Sequence, residues 1–434
     1  MAALPRSIGG WLAHIEALHP NGSAGVELGL ERVAEIKARL GQTEFCPVIL
    51  VAGTNGKGST CAMLERILLC AGYRVGLYTS PHLLRYNERV RIDGRPVDDE
   101  NLSEGFACVE HARVSHGGTP PLALTYFEYG TLCAWEVFAK QPLDAIILEV
   151  GLGGRLDATN IHDPDVAIVT AVDLDHMDYL GPTREDIGFE KAGIFRADGL
   201  AICGDADPPA SLLDHARAIG ADLQVLGRDF GHARQEQQWQ YWGRGGKRGG
   251  LALPALRGAR QLDNAACVLA ALDALHGALP VAMQDIRRGL LEVELAGRFQ
   301  VVPGRPTVVL DVAHNPQAAR VLAANLGDMA FHPATWAVFG MMGDKDIVGV
   351  IEAMRHRVDH WLPASLPGSR GAPASELARA LSSAGAASSV ATFASAAEAF
   401  VHARSRAGED DRIVAFGSFL TVADVLRALG RGAS

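Results

Sequence analysis

Val48-Ile49-Leu50-Val51-Ala52, running straight into Gly53-Thr54-Asn55-Gly56-Lys57-Gly58-Ser59-Thr60, is the stretch that decides the architecture. The five apolar residues read as a buried strand, and the glycine-rich run reads as a turn into a helix. The segment Ser59 to Ala71 puts Met63, Leu64, Ile67 and Leu68 on one helical face, and Gly72 stops it. Strand, glycine loop and helix in that order make an anion cradle. Glycines let backbone N–H groups turn toward a phosphate, and the helix N-terminus adds the positive end of its dipole. Lys57 supplies a point charge for outer phosphates, and a hydroxyl at Ser59 or Thr60 can face Mg²⁺. In the standard pattern Ser or Thr follows GK directly. Here Gly58 intervenes and Val51 occupies the place of the earlier glycine, which argues against an ordinary GTPase or nucleotide kinase.

Outward from that loop, further strands are predicted at Arg74 to Thr79, Ala145 to Val150 and Val166 to Val172. Each ends in a polar cluster: Thr79-Ser80-Pro81-His82, Gly151-Leu152-Gly153-Gly154 and Asp173-Leu174-Asp175-His176. Short strands alternating with amphipathic helices predict an α/β protein with a parallel-rich sheet, and these clusters then share its carboxyl edge, where ligands bind. A second strand set follows at Thr307 to Val312, Thr335 to Met341, His360 to Ala364 and Arg412 to Gly417, with helices at Pro316 to Leu326 and Ala374 to Ser383. The predicted domains are therefore 1–296 and 297–434, divided at Ala296-Gly297. Gly243 to Gly250, preceded by Trp239, Tyr241 and Trp242, reads as a hairpin and its tip; the Ala/Ser-rich stretch Ala384 to Ala397 reads as helix and loop.

A chain of 434 residues with 48% hydrophobic and 21% charged residues has ordinary globular composition and length for two domains. Forty Lys plus Arg against 50 Asp plus Glu give a net charge of −10, the wrong balance for a nucleic-acid partner. Apolar runs such as Pro47 to Ala52 are too short to span a bilayer, so no membrane partner is expected. The start of the chain has no basic-then-apolar pattern of a secretion signal. Seven scattered cysteines without a CxxC pair read as reduced thiols of a cytoplasmic protein.

Several single residues carry two readings. Glu149, at the end of an apolar strand, is either a surface carboxylate or a ligand for Mg²⁺ at the sheet mouth; the flexible Gly151 to Arg155 behind it favours the ligand. His176, beside Asp173, Asp175 and Asp178, is an unusual ligand for Mg²⁺, and its chemistry alone points to phosphate contact or a Mn²⁺-tolerant site. Lys191 reads from spacing as an exposed helix lysine beside Glu190. Arg85, Arg89, Arg91 and Arg95 form either a patch for an anionic substrate or a solvated loop.

Taken together, GTNGKGS (53–59), YTSPHL (78–83), LTYFE (124–128), EVGLGGRLDATN (149–160), DHMDYLG (175–181), EKAGIF (190–195), QLDNAA (261–266), GRFQ (297–300) and DVAHNP (311–316) resemble the folylpolyglutamate synthases and their bacterial form that is also a dihydrofolate synthase. The match runs in order through nearly the whole chain. It implies a Mur-ligase-like fold: an ATP- and pterin-binding domain with a P-loop, and a smaller Rossmann-like ligase domain that binds glutamate and closes over the nucleotide. It also implies ATP-dependent joining of L-glutamate to dihydropteroate and to tetrahydrofolate through an acyl phosphate, in a monomer. By the same resemblance ATP contacts fall on Gly53, Thr54, Asn55, Gly56, Lys57, Gly58, Ser59, Asn264, Arg298, Asp311 and His314. Ligands for two Mg²⁺ fall on Ser59, Ser80, Glu149, His176 and Lys191, the last as a carbamate; Lys57, His176 and Lys191 are the implied catalytic set. The pterin-bearing acid falls on Thr125, Tyr126, Phe127 and Glu128 and on Leu156, Asp157 and Ala158. Three other readings stay open. A peptidoglycan ligase should lack the LTYFE and GGRLDATN segments, and a monofunctional folylpolyglutamate synthase fits the RLDATN wording less well. A P-loop switch would hydrolyse nucleotide without an amine acceptor.

Overall fold

The structure, a computed structural model, describes residues 4–19, 22, 27–114, 121–258, 260–387 and 390–430. The chain divides into two compact units, 1–255 with 262–293, and 256–261 with 294–434. The segment 293–299, in which the sequence boundary was drawn, joins the helix Met283–Glu292 to the first strand of the second unit. A single cut could not anticipate that 256–261 groups with the second unit.

The first unit holds β1 (Val48–Ala52), β2 (Val75–Tyr78), β3 (Val90–Ile92), β4 (Arg95–Pro96), β5 (Ala145–Glu149), β6 (Val166–Val169), β7 (Leu200–Cys203) and β8 (Asp222–Val225). They form one sheet in the order β4-β3-β2-β5-β1-β6-β7-β8, parallel except at β3 and β4. Every residue of β1, β5 and β6 is buried, which is why these strands are apolar apart from Glu149 at the end of β5 and do not alternate. Strand order reverses at β1, the arrangement that opens a crevice at the carboxyl edge. Pairing sets the strand ends level there: Tyr78 lies opposite Leu148, Val51 opposite Glu149, and Ala52 opposite Val169. The four loops that begin at residues 53, 79, 150 and 170 are thereby gathered along one line. Strand β6 stops at Val169, short of the predicted Val172, because Thr170 and Ala171 turn to meet the glycine loop.

β9 (Gly231–Arg234), β10 (Gln238–Gly243) and β11 (Gly246–Ala252) form an antiparallel sheet, and Gly243 to Gly250 is indeed a hairpin end. Its arginines face carboxylates: Arg244 pairs with Asp222, and Arg248 with Asp273 on the helix Gln261–Ala274. Tyr241 Oη adds a bond to Asp273 at 2.9 Å.

The second unit has β12 (Gln300–Val302), β13 (Thr307–Leu310), β14 (Thr335–Phe339), β15 (His360–Pro363) and β16 (Arg412–Phe416), in the order β12-β13-β16-β14-β15 with β12 antiparallel. The helices Pro316–Gly327 and Ala374–Ser383 fall where the sequence puts them. Most of Ala384 to Ala397 is irregular, and residues 388 and 389 of that stretch lie outside the described residues.

Two packing details position the site. The glycine-loop helix Lys57–Cys70 lies against Met283–Glu292 at Gly289, where an added Cβ would sit 2.7 Å from Ile67 Cα. Gly289→Ala should therefore push the helices apart and lower stability by about 1–3 kcal/mol, read as a lower urea midpoint by circular dichroism.

His162 anchors the turn Ala158–Ile161 from beneath: its ring stacks on Trp135 at 3.6 Å, and Nδ1 lies 3.2 Å from Glu44 Oε1. Burial pushes its pKa down to about 4, against the Glu44 contact that raises it. An unfolded histidine titrates near 6.5. The stabilisation is thus complete above about pH 6.5 and is lost as pH falls toward 4, up to about 3 kcal/mol. Acid unfolding of the wild type should show this slope, and His162→Gln should flatten it.

Candidate active site

Gly53 and Gly56 both take positive φ, +148° and +94°. An added Cβ at Gly53 would collide with Thr170 Oγ1, and at Gly56 it would lie 2.6 Å from Asn264 Oδ1. The loop is stitched to the exit of β6. Thr54 N donates to Ala171 O at 2.8 Å, Thr170 Oγ1 to Asn55 O at 2.7 Å, and Asp173 N to Thr54 Oγ1 at 3.0 Å. Lys57 opens the helix and its Nζ donates to Gly53 O at 2.8 Å. Ser59 and Thr60 are both buried; Thr60 Oγ1 has no hydrogen-bond partner among the described residues. Asn264, buried near the start of its helix, meets the loop across more than two hundred residues of sequence.

Along the same edge, buried Glu149 ends β5 and accepts from Thr79 Oγ1 and, at 3.4 Å, from Ser80 N. His176 is a non-glycine residue at φ +52°, a conformation that persists only where surroundings impose it and that clusters at functional sites. Its Nε2 lies 3.9 Å from Asp175 Oδ1.

Lys191 corrects the reading from spacing. It is 3% exposed, and Glu190 turns away from it to Arg155, at 2.7 Å. Burial, then the charge of Lys57, pushes its amine down to about 7, against the pull of Asp175, Asp157 and Glu190. The segment around it is woven to the glycine-rich loop after β5. Arg155 N donates to Glu190 O at 2.7 Å, and Asn160 Nδ2 bonds both Arg155 O and Gly193 O at 3.0 Å. Gly154 permits this approach: a Cβ there would lie 2.9 Å from Glu190 O.

In LTYFE, Thr125 caps the helix Tyr126–Ala139 and forms a capping box with Glu128. Glu128 Oε1 also accepts from Arg32 at 2.9 Å. Asp157, buried, accepts from Gly151 N, Leu152 N, Thr159 N and Thr159 Oγ1 at 2.6–3.0 Å; burial raises its pKa and these donors oppose the rise. The polar atoms of Thr125, Glu128 and Asp157 therefore hold the chain itself. Tyr126, Phe127 and Leu156 are only partly buried beside them, and Ala158 is buried. The far end of the Phe127 ring abuts Gly151, where a Cβ would sit 2.6 Å from it, and its centre is 5.8 Å from that of Tyr78.

The remaining predicted residues lie on the second unit and are grouped there. Asp311 follows β13 and accepts from Phe299 N and Ala313 N, each at 2.8 Å; burial raises its pKa, opposed by Arg298. The Arg298 guanidinium lies over the Phe419 ring at 5.0 Å, and the His314 ring is 6.4 Å from the same ring. Phe419 was missed from sequence; an aromatic at the start of a helix carries no signal of its own. Thr170 and Asn160 were missed as well, because their roles exist only once the loops meet.

Among the described residues, no group of three or more His, Cys, Asp or Glu side chains is disposed to hold a metal ion. The predicted ligand set itself offers one carboxylate (Glu149), one imidazole (His176), hydroxyls (Ser59 and Ser80) and a buried amine (Lys191), so a metal held by it would need oxygens from a ligand or from a modified lysine.

Comparison with known proteins bears on these residues. Residues 123–271 match the Mur ligase middle domain, and residues 297–419 match the Mur ligase, glutamate ligase domain. The chain is 44% identical over 420 residues to dihydrofolate synthase/folylpolyglutamate synthase of Escherichia coli, covering 96% of this chain and 94% of that protein. The structure of E. coli FolC in complex with DHPP and ADP superposes with a TM-score of 0.91 at 44% identity, covering 99% of each chain. A bifunctional folylpolyglutamate synthase/dihydrofolate synthase with Mn, AMPPNP and L-glutamate bound gives 0.89 at 43% identity, covering 99% of this chain and 100% of that one.

The cradle makes a sharp prediction. Gly56→Ala drives a Cβ onto Asn264 from a backbone conformation that L residues avoid. Nucleotide affinity by titration calorimetry should fall at least about tenfold, the equivalent of 1.4 kcal/mol.

Proposed function

The chain belongs to the bifunctional dihydrofolate synthase/folylpolyglutamate synthase family of Mur ligases, and from that premise we propose how its residues divide the work. It is an ATP-dependent glutamate ligase, joining L-glutamate to pteroate and to folates. A divalent metal belongs with the nucleotide in this reading, since the related structure has Mn, AMPPNP and L-glutamate bound.

ATP lies with its phosphates on Gly53 to Ser59, where the freed N–H groups and the helix N-terminus face it, and Asn264 borders the loop. On the second unit Arg298, Asp311 and His314 serve the nucleotide, and that unit takes L-glutamate. The metal is Mg²⁺ at two sites, held by Ser59, Ser80, Glu149 and His176 and by Lys191 once carbamylated. The donor set fits this assignment only with the carbamate, since no ready-made acidic cluster exists among the described residues. An amine whose pKa is lowered to about 7 is neutral, and so nucleophilic, in about half of the molecules at pH 7. Its nitrogen bonds to the carbon of CO₂ and releases a proton, which turns a buried cation beside Lys57 into an oxygen donor. When bound, the metal neutralises charge on the phosphoryl oxygens.

The chemistry follows from what a carboxylate lacks, a leaving group. An oxygen of the acceptor carboxylate attacks the γ-phosphorus and ADP departs, leaving an acyl phosphate. The glutamate amine then attacks the acyl carbon through a tetrahedral intermediate and phosphate leaves. Lys57 stabilises the charge gathering on the transferred group from its place at the head of the helix. The acceptor lies along Tyr126, Phe127, Leu156 and Ala158, whose shape is maintained by Thr125, Glu128 and Asp157. The buried lysine amine between the cradle and the acceptor segments carries this reading.

We place the enzyme in the cytoplasm as a monomer acting on small molecules, without nucleic acid or membrane. Among the described residues no helix is long and apolar enough to cross a membrane, and the cysteines are free.

ADP release with Mg-ATP and L-glutamate should depend on an acceptor and proceed with both 7,8-dihydropteroate and tetrahydrofolate. Turnover with tetrahydrofolate alone would favour the monofunctional alternative. Lys191→Ala should lose activity by at least about 100-fold, in line with loss of a charge-stabilising group, while Lys191→Glu should keep a measurable part of it. Equal loss in both variants would remove the carbamate from the mechanism.

A further inference from the structure

Four arginines follow the Thr79–His82 corner, and three are accounted for by the fold. Arg85 pairs with Asp99 at 3.3 Å, Arg91 with buried Glu65 at 2.9 Å, and Arg95 lies exposed on the short strand β4. Arg89 is different. It is half-buried, and among the described residues no carboxylate pairs with it. Its Nε donates to His82 Nδ1 at 2.9 Å, and its guanidinium carbon lies 5.2 Å from the Tyr86 ring centre and 5.4 Å from that of Tyr126. Aromatic faces and an imidazole hold a guanidinium in place without neutralising it, and they leave its terminal N–H groups to face an anion.

Its position narrows which anion. Arg89 O accepts from Thr79 N at 2.9 Å, and the Thr79 hydroxyl donates to Glu149. Arg89 thus sits two strand positions from Glu149, roughly 10 Å at the usual spacing, on the side away from the glycine loop. That is too far sideways to serve the phosphates, and Tyr126 ties it to the acceptor segment. The two acceptors differ in charge. Dihydropteroate has one carboxylate, which reacts. A folate ends in glutamate, whose γ-carboxylate reacts while its α-carboxylate, four bonds away, stays charged. A protein of net charge −10 repels that idle anion unless a local cation meets it.

We infer that Arg89, held by His82, Tyr86 and Tyr126, binds the non-reacting α-carboxylate of a folate acceptor and so determines specificity between the two reactions of this enzyme. This rests on the proposed placement of the acceptor along Tyr126. A charge-assisted pair of this kind accounts for about ten- to a hundredfold in kcat/KM.

The test compares acceptors in a cycle. Arg89→Met should lower kcat/KM for tetrahydrofolate at least tenfold more than for dihydropteroate, mainly through KM, with Arg89→Lys between. Wild-type enzyme given the α-carboxamide of tetrahydrofolate should show a similar loss, whether or not the variant folds, and Arg89→Met should lose little more on that amide. Equal effects on both acceptors, or an amide used as well as the acid, would overturn the inference. If equal losses came with a raised KM for L-glutamate, Arg89 would instead serve the incoming amino acid. Wild-type enzyme silent with tetrahydrofolate but active with dihydropteroate would overturn the bifunctional reading, and the inference with it.

Discussion

No side chain fits at Gly53 or Gly56, and that constraint organises the first unit. Thr170 occupies the space beside one glycine and Asn264 the space beside the other, so strand β6 and the helix Gln261–Ala274 must both press onto the loop. The loop helix is in turn pressed by Met283–Glu292 at Gly289. The loop and its helix are thereby packed on three sides, by Thr170, by Asn264 and by the helix Met283–Glu292. A phosphate site of this kind is strong because its donors cannot relax away when charge develops.

Charge is distributed along that edge in a way that suits group transfer. Burial first, and then the nearby charge of Lys57, disfavours the proton of Lys191. The compensating carboxylates are mostly engaged elsewhere: Glu190 with Arg155, Asp157 with four donors, Glu149 with Thr79 and Ser80. The result is a buried amine that gives up its proton more readily than an exposed lysine does. Arg89 is a second cation without a carboxylate partner among the described residues, held by aromatic rings and His82.

Much of this was legible in the chain. The strand and glycine loop at 48–60, the level strand ends, the hairpin at 243–250 and the second strand set all follow from local pattern, because a buried parallel strand must be apolar throughout and a phosphate loop must be rich in glycine. Lys191 was not legible from spacing. Its helix is polar enough to read as exposed, and only the docking of EKAGIF onto GGRLDATN buries it. The arginine run, left between an anion patch and a solvated loop, was not legible either: four similar residues become an ion pair, a buried bridge, an exposed edge and a cation held by His82 and aromatic rings only when their neighbours are known.

The sequence by itself thus determined the family, the glycine loop between strand and helix, and the sheet edge at which the strand-end loops gather, since these depend on contiguous residues whose backbone requirements are local. The tertiary structure alone decided the burial of Lys191, the approach of Asn264 to Gly56, the use of Asp157 and Glu128 as internal anchors, and the setting of Arg89 among His82, Tyr86 and Tyr126. Each depends on desolvation or on a partner tens to hundreds of residues away, and both quantities are properties of packing in space, which no local pattern encodes.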